Sequence, residues 1–463
     1  MRATRAELLF LLPERVEKAA LLEGAEGWAG PLRSGGVEIV DATASCDLVV
    51  APASLLDDAV RCTAPVALFL GRVSRRRLRA AGFAGERFMP IPSLDEPSYA
   101  LPLDRPRLAR YVLSKLSAPP TRVKTLRNRA LGLAIRLGIG LPHTLTFAYR
   151  RGELPRLVRA ACELGLPQEL EYLLALGRAT ERGAFLLFEP GSTRPSWISK
   201  FERGHPDVFE APTDARGLQM IADVGGSAAE HAPRFFGLSE VDGRPLVVES
   251  AASGAPLVNV LRAPLAYERR RELVEAVMAW LIDVGRASLG HADQGDPLFG
   301  LEVAGRLASE LEFDLDEIRS RVAGLPTVLE HGDVGLEHVL VDGDSFVVID
   351  WELARKNGMP LHDLAFFLSQ ALPVLDGEVD DPRFGKREAF ARLFRGQTPS
   401  SPLLFRCFAR ACEDWGVPPD VAPALLSTTW LRIAEVDVRR HFAEVWFSDP
   451  ELGTNWSAWQ RFC

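Results

Sequence analysis

Over residues 6–103 short apolar runs alternate with stretches of helical period. The runs Leu8–Leu12, Val37–Val40, Leu48–Ala51, Val66–Leu70 and Phe88–Ile91 predict strands, and Ser54–Arg61 and Ser74–Ala81 predict helices between them. Strands alternating with helices imply a small parallel α/β domain over 1–104. Residues 105–167 predict a helical linker with a break at Pro119-Pro120. From about 168 the period changes. Glu171–Gly177, Ala184–Glu189 and Ser196–Phe201 predict three consecutive strands, an antiparallel meander. Thr213–Val224 predicts a helix with Thr213 as its N-cap, and Leu246–Glu249 a further strand. After Gly254 the pattern is mostly helical: Ala266–Leu289, Gly300–Gly324, Lys386–Phe394, Leu403–Trp415 and Pro419–Trp446. The expected fold is α+β, with a small antiparallel β lobe over 168–256 and a helical lobe over 257–463 behind the α/β domain.

Composition narrows the function classes. The chain has 463 residues, of which 47% are hydrophobic and 25% charged, as expected of a globular protein. The net charge of -8 argues against general nucleic-acid binding, which needs a basic surface. Charge is uneven, however. Arg122, Lys124, Arg127, Arg129 and Arg136 fall among apolar residues, so the segment 121–136 suits a peripheral contact as well as an inward-packed helix. The six cysteines form no C-x-x-C pair, which fits reduced thiols and a cytoplasmic location. Leu8–Leu12 is too short for a signal peptide core and is followed at once by Glu14 and Arg15. No apolar run is long enough to span a bilayer.

The chemistry concentrates in residues 329–368. His331-Gly332-Asp333 opens a loop, and Val339–Val341 and Phe346–Ile349 flank the turn Asp342-Gly343-Asp344, which predicts a hairpin. Asp350 projects from the end of its second strand. Two carboxylates, Asp333 and Asp350, then stand at one end of the hairpin. Phosphoryl transfer needs such a pair, one to orient the attacking hydroxyl and one to hold a metal.

The ordered set His331-Gly332-Asp333, Ile349-Asp350-Trp351 and Pro360-Leu361-His362-Asp363-Leu364-Ala365 resembles the aminoglycoside phosphotransferase and choline kinase-like family, over roughly 168–445. The resemblance implies a two-lobed protein-kinase-like domain that uses ATP and magnesium to phosphorylate a hydroxyl of a small molecule. It implies Asp333 as base, Asp350 as metal ligand and His338 as a second metal ligand. It also implies Lys200, at the end of the third meander strand, as phosphate ligand, and the hinge backbone at Glu249 and Ala251 as the adenine contact. His331 and Asp363 would hold the loop, and Arg178–Gly183 lies where a phosphate-covering loop would lie. His291 and Asp293 are candidates for an acceptor pocket.

Two positions depart from the pattern. His338 stands where the family carries a metal-binding asparagine, and magnesium prefers oxygen. The helix 213–224 offers no glutamate to pair with Lys200. These departures keep open a second reading, a nucleotide-binding pseudokinase that serves as a scaffold. A third places the main transferase activity in residues 1–104, whose layout resembles part of a methyltransferase-like sheet with Asp41 ending its second strand. Against it, the turn after the expected first strand, Pro13-Glu14-Arg15, has no glycine. The acceptor substrate and the oligomeric state are not legible.

Overall fold

Twelve strands join into one sheet in the first of two units, Met1–Ala211 with Phe236–Ala251. The computed structural model describes residues 4–116, 122–137, 141, 143–150, 154–176, 182–203, 213–290, 315–381, 383–434, 440–449 and 452. The strands are β1 (Lys18–Leu21), β2 (Glu38–Val40), β3 (Leu48–Pro52), β4 (Val66–Leu70), β5 (Ala84–Pro92), β6 (Pro97–Pro102), β7 (Leu145–Tyr149), β8 (Glu171–Ala175), β9 (Arg182–Phe188), β10 (Trp197–Glu202), β11 (Phe235–Val241) and β12 (Arg244–Ser250). Their spatial order is β11-β12-β10-β9-β8-β6-β5-β7-β4-β3-β1-β2. The strands β2-β1-β3-β4 run parallel. β7 is antiparallel to both neighbours, and the meander β8-β9-β10-β12 is antiparallel throughout. β3 and β4 are apolar and buried almost end to end, as strands covered on both faces must be. Helices α1 (Ala29–Ser34), α2 (Leu56–Arg61), α3 (Arg75–Ala80), α4 (Pro106–Leu116), α5 (Arg122–Arg136) and α6 (Arg156–Glu163) complete the unit.

The sheet corrects the expected organisation at four points. Leu8–Leu12 is not a strand: Arg5–Leu11 is a 3-10 helix, and Glu7 Oε2 accepts the Thr4 N–H at 2.6 Å. The first strand is β1, and the turn after it does contain glycine, with Gly24 at φ +84° and its N–H donating to Glu26 Oε1 at 2.9 Å. The stretch 105–167 is not wholly helical, because β7 lies inside it. β6 pairs with β8 (Tyr99 with Ala175, Ala100 with Leu174), so the α/β strands and the meander form one sheet rather than a separate domain and lobe.

The second unit, Pro212–Phe235 with Ala252–Cys463, is mainly helical. Its helices are α7 (Thr213–Val224), α8 (Gly226–Glu230), α9 (Leu257–Leu261), α10 (Tyr267–Ala287), α11 (Leu315–Val322), α12 (His362–Leu375), α13 (Lys386–Phe394), α14 (Ser401–Trp415), α15 (Ala422–Ile433) and α16 (Arg440–Ser448). Of the expected single helix over 419–446, Ala422–Ile433 and Arg440–Ser448 are helical, and residues 435–439 lie outside the described residues. One apolar core includes Trp280, Trp351, Phe366, Phe408 and Trp430. Two small sheets carry the loop of interest. β13 (Ala255–Pro256), β15 (Val339–Asp342) and β16 (Ser345–Val348) form one, with the predicted hairpin at Asp342–Ser345. β14 (Val328–Glu330) and β17 (Arg355–Gly358) form the other.

α7 lies against the turn that follows β16, and Gly217 permits it. A Cβ there would sit 2.0 Å from the Trp351 carbonyl oxygen and 2.9 Å from Trp351 Cβ. Backbone cannot swing aside as a side chain can. Gly217→Ala is therefore expected to cost about 1–3 kcal/mol through overpacking. Chemical denaturation would show it, and a cost near zero would mean that α7 is not seated on Trp351.

Candidate active site

The loop 331–333 leaves β14 and is held by the first turn of α12. Asp363 Oδ2 accepts the His331 N–H at 2.6 Å and Oδ1 accepts the Gly332 N–H at 2.9 Å. Burial and the neighbouring Glu330 charge push the Asp363 carboxyl up, and the two backbone donors work against that shift. The His331 ring is buried. Its Nδ1 accepts the Asp333 N–H at 3.2 Å, so its proton sits on Nε2, which donates to the Ile349 carbonyl at 3.0 Å. One neutral imidazole thereby ties the loop to the end of β16.

Burial pushes the His331 ring down to about 4, against the support of the Ile349 hydrogen bond. Its two ring nitrogens are both engaged in holding the loop. Its unfolded pKa is near 6.5, so its contribution to stability is full above that value and is lost as pH falls towards 4. His362, also buried and pushed down to about 3 by burial and by Arg432, acts in the same direction. Asp363, with its raised pKa, opposes both. In long-range proton–nitrogen NMR, His331 is expected to remain the neutral Nε2–H form down to about pH 5, while solvated imidazoles titrate near 6.5. A doubly protonated His331 ring at pH 6 would contradict this assignment.

Three of the expected site residues come together. His338 Nδ1 donates to the Asp333 carbonyl at 2.8 Å and lies 3.8 Å from Asp333 Oδ2. Its Nε2 lies 3.6 Å from Asp350 Oδ2. With the proton of Nδ1 committed to a carbonyl, the Nε2 lone pair would face a carboxylate oxygen. That contact is favourable only with a proton or a cation between them. Asp350 holds a left-handed conformation (φ 72°, ψ 59°) and turns the chain from β16 into the 3-10 turn Trp351–Leu353. A non-glycine residue at positive φ is uncommon and clusters at functional sites.

Asp214, in the first turn of α7, is the acid that sequence reasoning missed. It is buried, and one of its carboxylate oxygens lies within 4.8 Å of oxygens from Asp350 and Glu352. Glu352 follows Asp350 by two residues and is partly buried. Magnesium takes oxygen ligands, and three carboxylates converging on one point fit that demand. The residues that could hold such an ion are Asp350, Asp214 and Glu352, with His338 beside them.

Behind the loop lies a second buried acid. Glu330 accepts both Arg432 guanidinium nitrogens, Nη1 at 2.9 Å on Oε2 and Nη2 on Oε1, and the Met359 N–H at 2.8 Å. Burial works to raise its carboxyl, but His362, Arg432 and these hydrogen bonds outweigh it and hold Glu330 below the usual carboxylate range.

Lys200, Glu249 and Ala251 belong to the first unit. Lys200 on β10 pairs with Glu249 on β12, Nζ to Oε1 3.1 Å, a diagonal contact across the strand pair. The Ala251 N–H donates to the Ser196 carbonyl at 2.9 Å, so it is committed to the sheet. His291, Asp293 and residues 178–181 of the expected phosphate-covering loop lie outside the described residues.

Residues 225–396 match the model of the phosphotransferase enzyme family. That match shows the family resemblance first carried by the three motifs, and it includes Asp333, His338, Asp350 and Asp363. The comparison with curated proteins gave no match. Among solved structures, a glucosamine kinase is 14% identical, with 65% of this chain and 85% of that chain covered and a TM-score of 0.40. The same kind of kinase in complex with glucosamine, ADP and inorganic phosphate is 13% identical, with 63% and 84% covered and a TM-score of 0.39. An aminoglycoside-3'-phosphotransferase of type VIII is 20% identical, with 60% and 98% covered and a TM-score of 0.34.

Proposed function

We propose that this protein transfers the γ-phosphoryl group of ATP to a hydroxyl of a small molecule: a sugar, an amino alcohol, an aminoglycoside-like compound or a glycan precursor. The observation that carries the reading is the cluster Asp333–His338–Asp350, in which one imidazole donates to the Asp333 carbonyl at 2.8 Å and lies 3.8 Å and 3.6 Å from the two carboxylates. Asp333 orients the acceptor hydroxyl and takes its proton as the new O–P bond forms and the bond to the ADP leaving oxygen breaks. His338 holds Asp333 through its carbonyl and keeps the two acids apart. Asp350, with Asp214 and Glu352, would hold magnesium, which when bound neutralises phosphate charge. Lys200 and the backbone at Glu249 and Ala251 are the proposed nucleotide contacts of the first unit. Positioning and charge neutralisation supply most of the rate.

A cytoplasmic enzyme fits ATP use. No disulfide joins the described cysteines, and among the described residues no helix is long and apolar enough to cross a membrane.

The second reading, a nucleotide-binding scaffold, draws on the Lys200–Glu249 pair, which occupies the proposed phosphate ligand. One experiment separates the two. ADP release is followed over a panel of amino sugars, amino alcohols and aminoglycosides, with ATP binding measured alongside by calorimetry. Acceptor-dependent ADP release supports the transferase. Tight ATP binding with no acceptor-dependent release on any member supports the scaffold.

A further inference from the structure

The helical hairpin α4–α5 has an apolar face that the first unit leaves open. On one side of α5, Asn128 Nδ2 donates to the Leu113 carbonyl at 3.0 Å, and Ile135 joins the core that contains Leu108 and Leu113. The opposite side is apolar too. Val123 is 79% exposed, Leu126 71%, Leu133 54% and Leu137 64%, with exposed Ala130 between them. The spacing 123, 126, 130, 133, 137 is three-four-three-four, so these residues form one stripe along the helix. Monomeric helices expose single leucines but seldom an aligned row.

The flanks of the stripe are basic. At 100° per residue Arg129 and Arg136 fall on one side and Arg127 on the other, and all three are exposed. Next to the stripe lies a groove of about 540 Å³ between the two helices. Leu113, Gly132 and Leu133 line its apolar part, with Arg110, Arg129 and Arg136 around them. In sequence, residues 105–136 carry nine basic and no acidic residues in a chain of net charge -8. A second copy of the same helix is a poor partner, because basic flanks would meet basic flanks.

We propose that α4–α5 docks the protein on an anionic lipid surface. The stripe enters the interface, and the flanking arginines engage lipid phosphates through guanidinium hydrogen bonds. The attachment is peripheral and salt-sensitive, because it combines a short apolar contact with screened charge. It is independent of the proposed phosphotransfer.

Vesicle flotation with the full chain tests the idea. Vesicles of equimolar phosphatidylglycerol and phosphatidylcholine are expected to bind it at least about tenfold better than phosphatidylcholine alone, and less well as salt rises. Leu126→Ser/Leu133→Ser and Arg129→Gln/Arg136→Gln are each expected to lower that binding about tenfold. All four positions are exposed, so the thermal midpoint should hold, and circular dichroism checks it. Equal binding to both vesicle types, or wild-type binding by both folded variants, overturns the proposal. Tight binding of a synthetic acidic heptad peptide without vesicle binding also overturns it, and assigns the face to a partner helix.

Discussion

Asp333→Asn is expected to lower acceptor-dependent turnover by about a hundredfold to ten-thousandfold, the usual range for a positioned general base. The amide keeps the shape of the carboxylate but cannot take the hydroxyl proton. The affinity for ATP should change little, because the proposed role of Asp333 concerns the acceptor. The fold should also hold. Asp333 ties the loop together through its backbone, whose N–H donates to His331 Nδ1 and whose carbonyl accepts from Gly335 N–H and His338 Nδ1. These contacts are backbone contacts, which Asn keeps. Steady-state kinetics on the first acceptor found, with calorimetry for ATP, gives the result. Undiminished turnover in Asp333→Asn would sink the mechanism.

The largest stability effect is expected at Arg432. Its guanidinium and the Glu330 carboxylate are almost wholly shielded from solvent, with side-chain exposures of 9% and 1%. Arg432→Met would leave Glu330 charged and unpaired in the core. Breaking a buried pair from one side costs about 3–5 kcal/mol, which lowers the thermal midpoint by on the order of 10 °C in a unit of this size. Adding Glu330→Gln should restore part of the loss, since the stranded charge disappears while an amide oxygen can still accept the Met359 N–H. A midpoint unchanged by Arg432→Met would show that the pair does not brace the loop. The effect bears on function because Glu330 immediately precedes His331, and β14 and β17 set the base of the loop.

The loop was legible because its residues are neighbours in sequence. His331, Asp333 and Asp350 lie at the ends of one short hairpin, and the two-residue turn Gly343-Asp344 with its β-branched flanks announces that hairpin. Asp214 was not legible. It lies far from Asp350 in the chain, and a carboxylate in a first helical turn is ordinary there, where it favours the helix dipole. Only folding shows that it is buried beside Asp350 and Glu352. Arg432 was hidden for the same reason, being some hundred residues from Glu330.

At the N-terminus the failure was one of period. Five consecutive apolar residues, Leu8–Leu12, suit a buried strand or a buried helical turn equally well. The Thr4-x-x-Glu7 spacing was the available signal for a helix start. β1, with only four residues, and β6, with a proline at each end, fall below what strand patterns resolve. β7 was masked by the basic helical run before it.

The pairing of β6 with β8 reaches into how this protein can be handled. The change of pattern near residue 168 looks like a seam, yet it is not a place where the chain can be cut. A fragment beginning there would keep the meander but lose the strand beside β8, whose Tyr172, Leu173 and Leu174 are buried. It would carry a bare, apolar sheet edge, the usual template for aggregation. The N-terminal third is therefore no detachable accessory, because β6 supplies the edge on which β8 pairs.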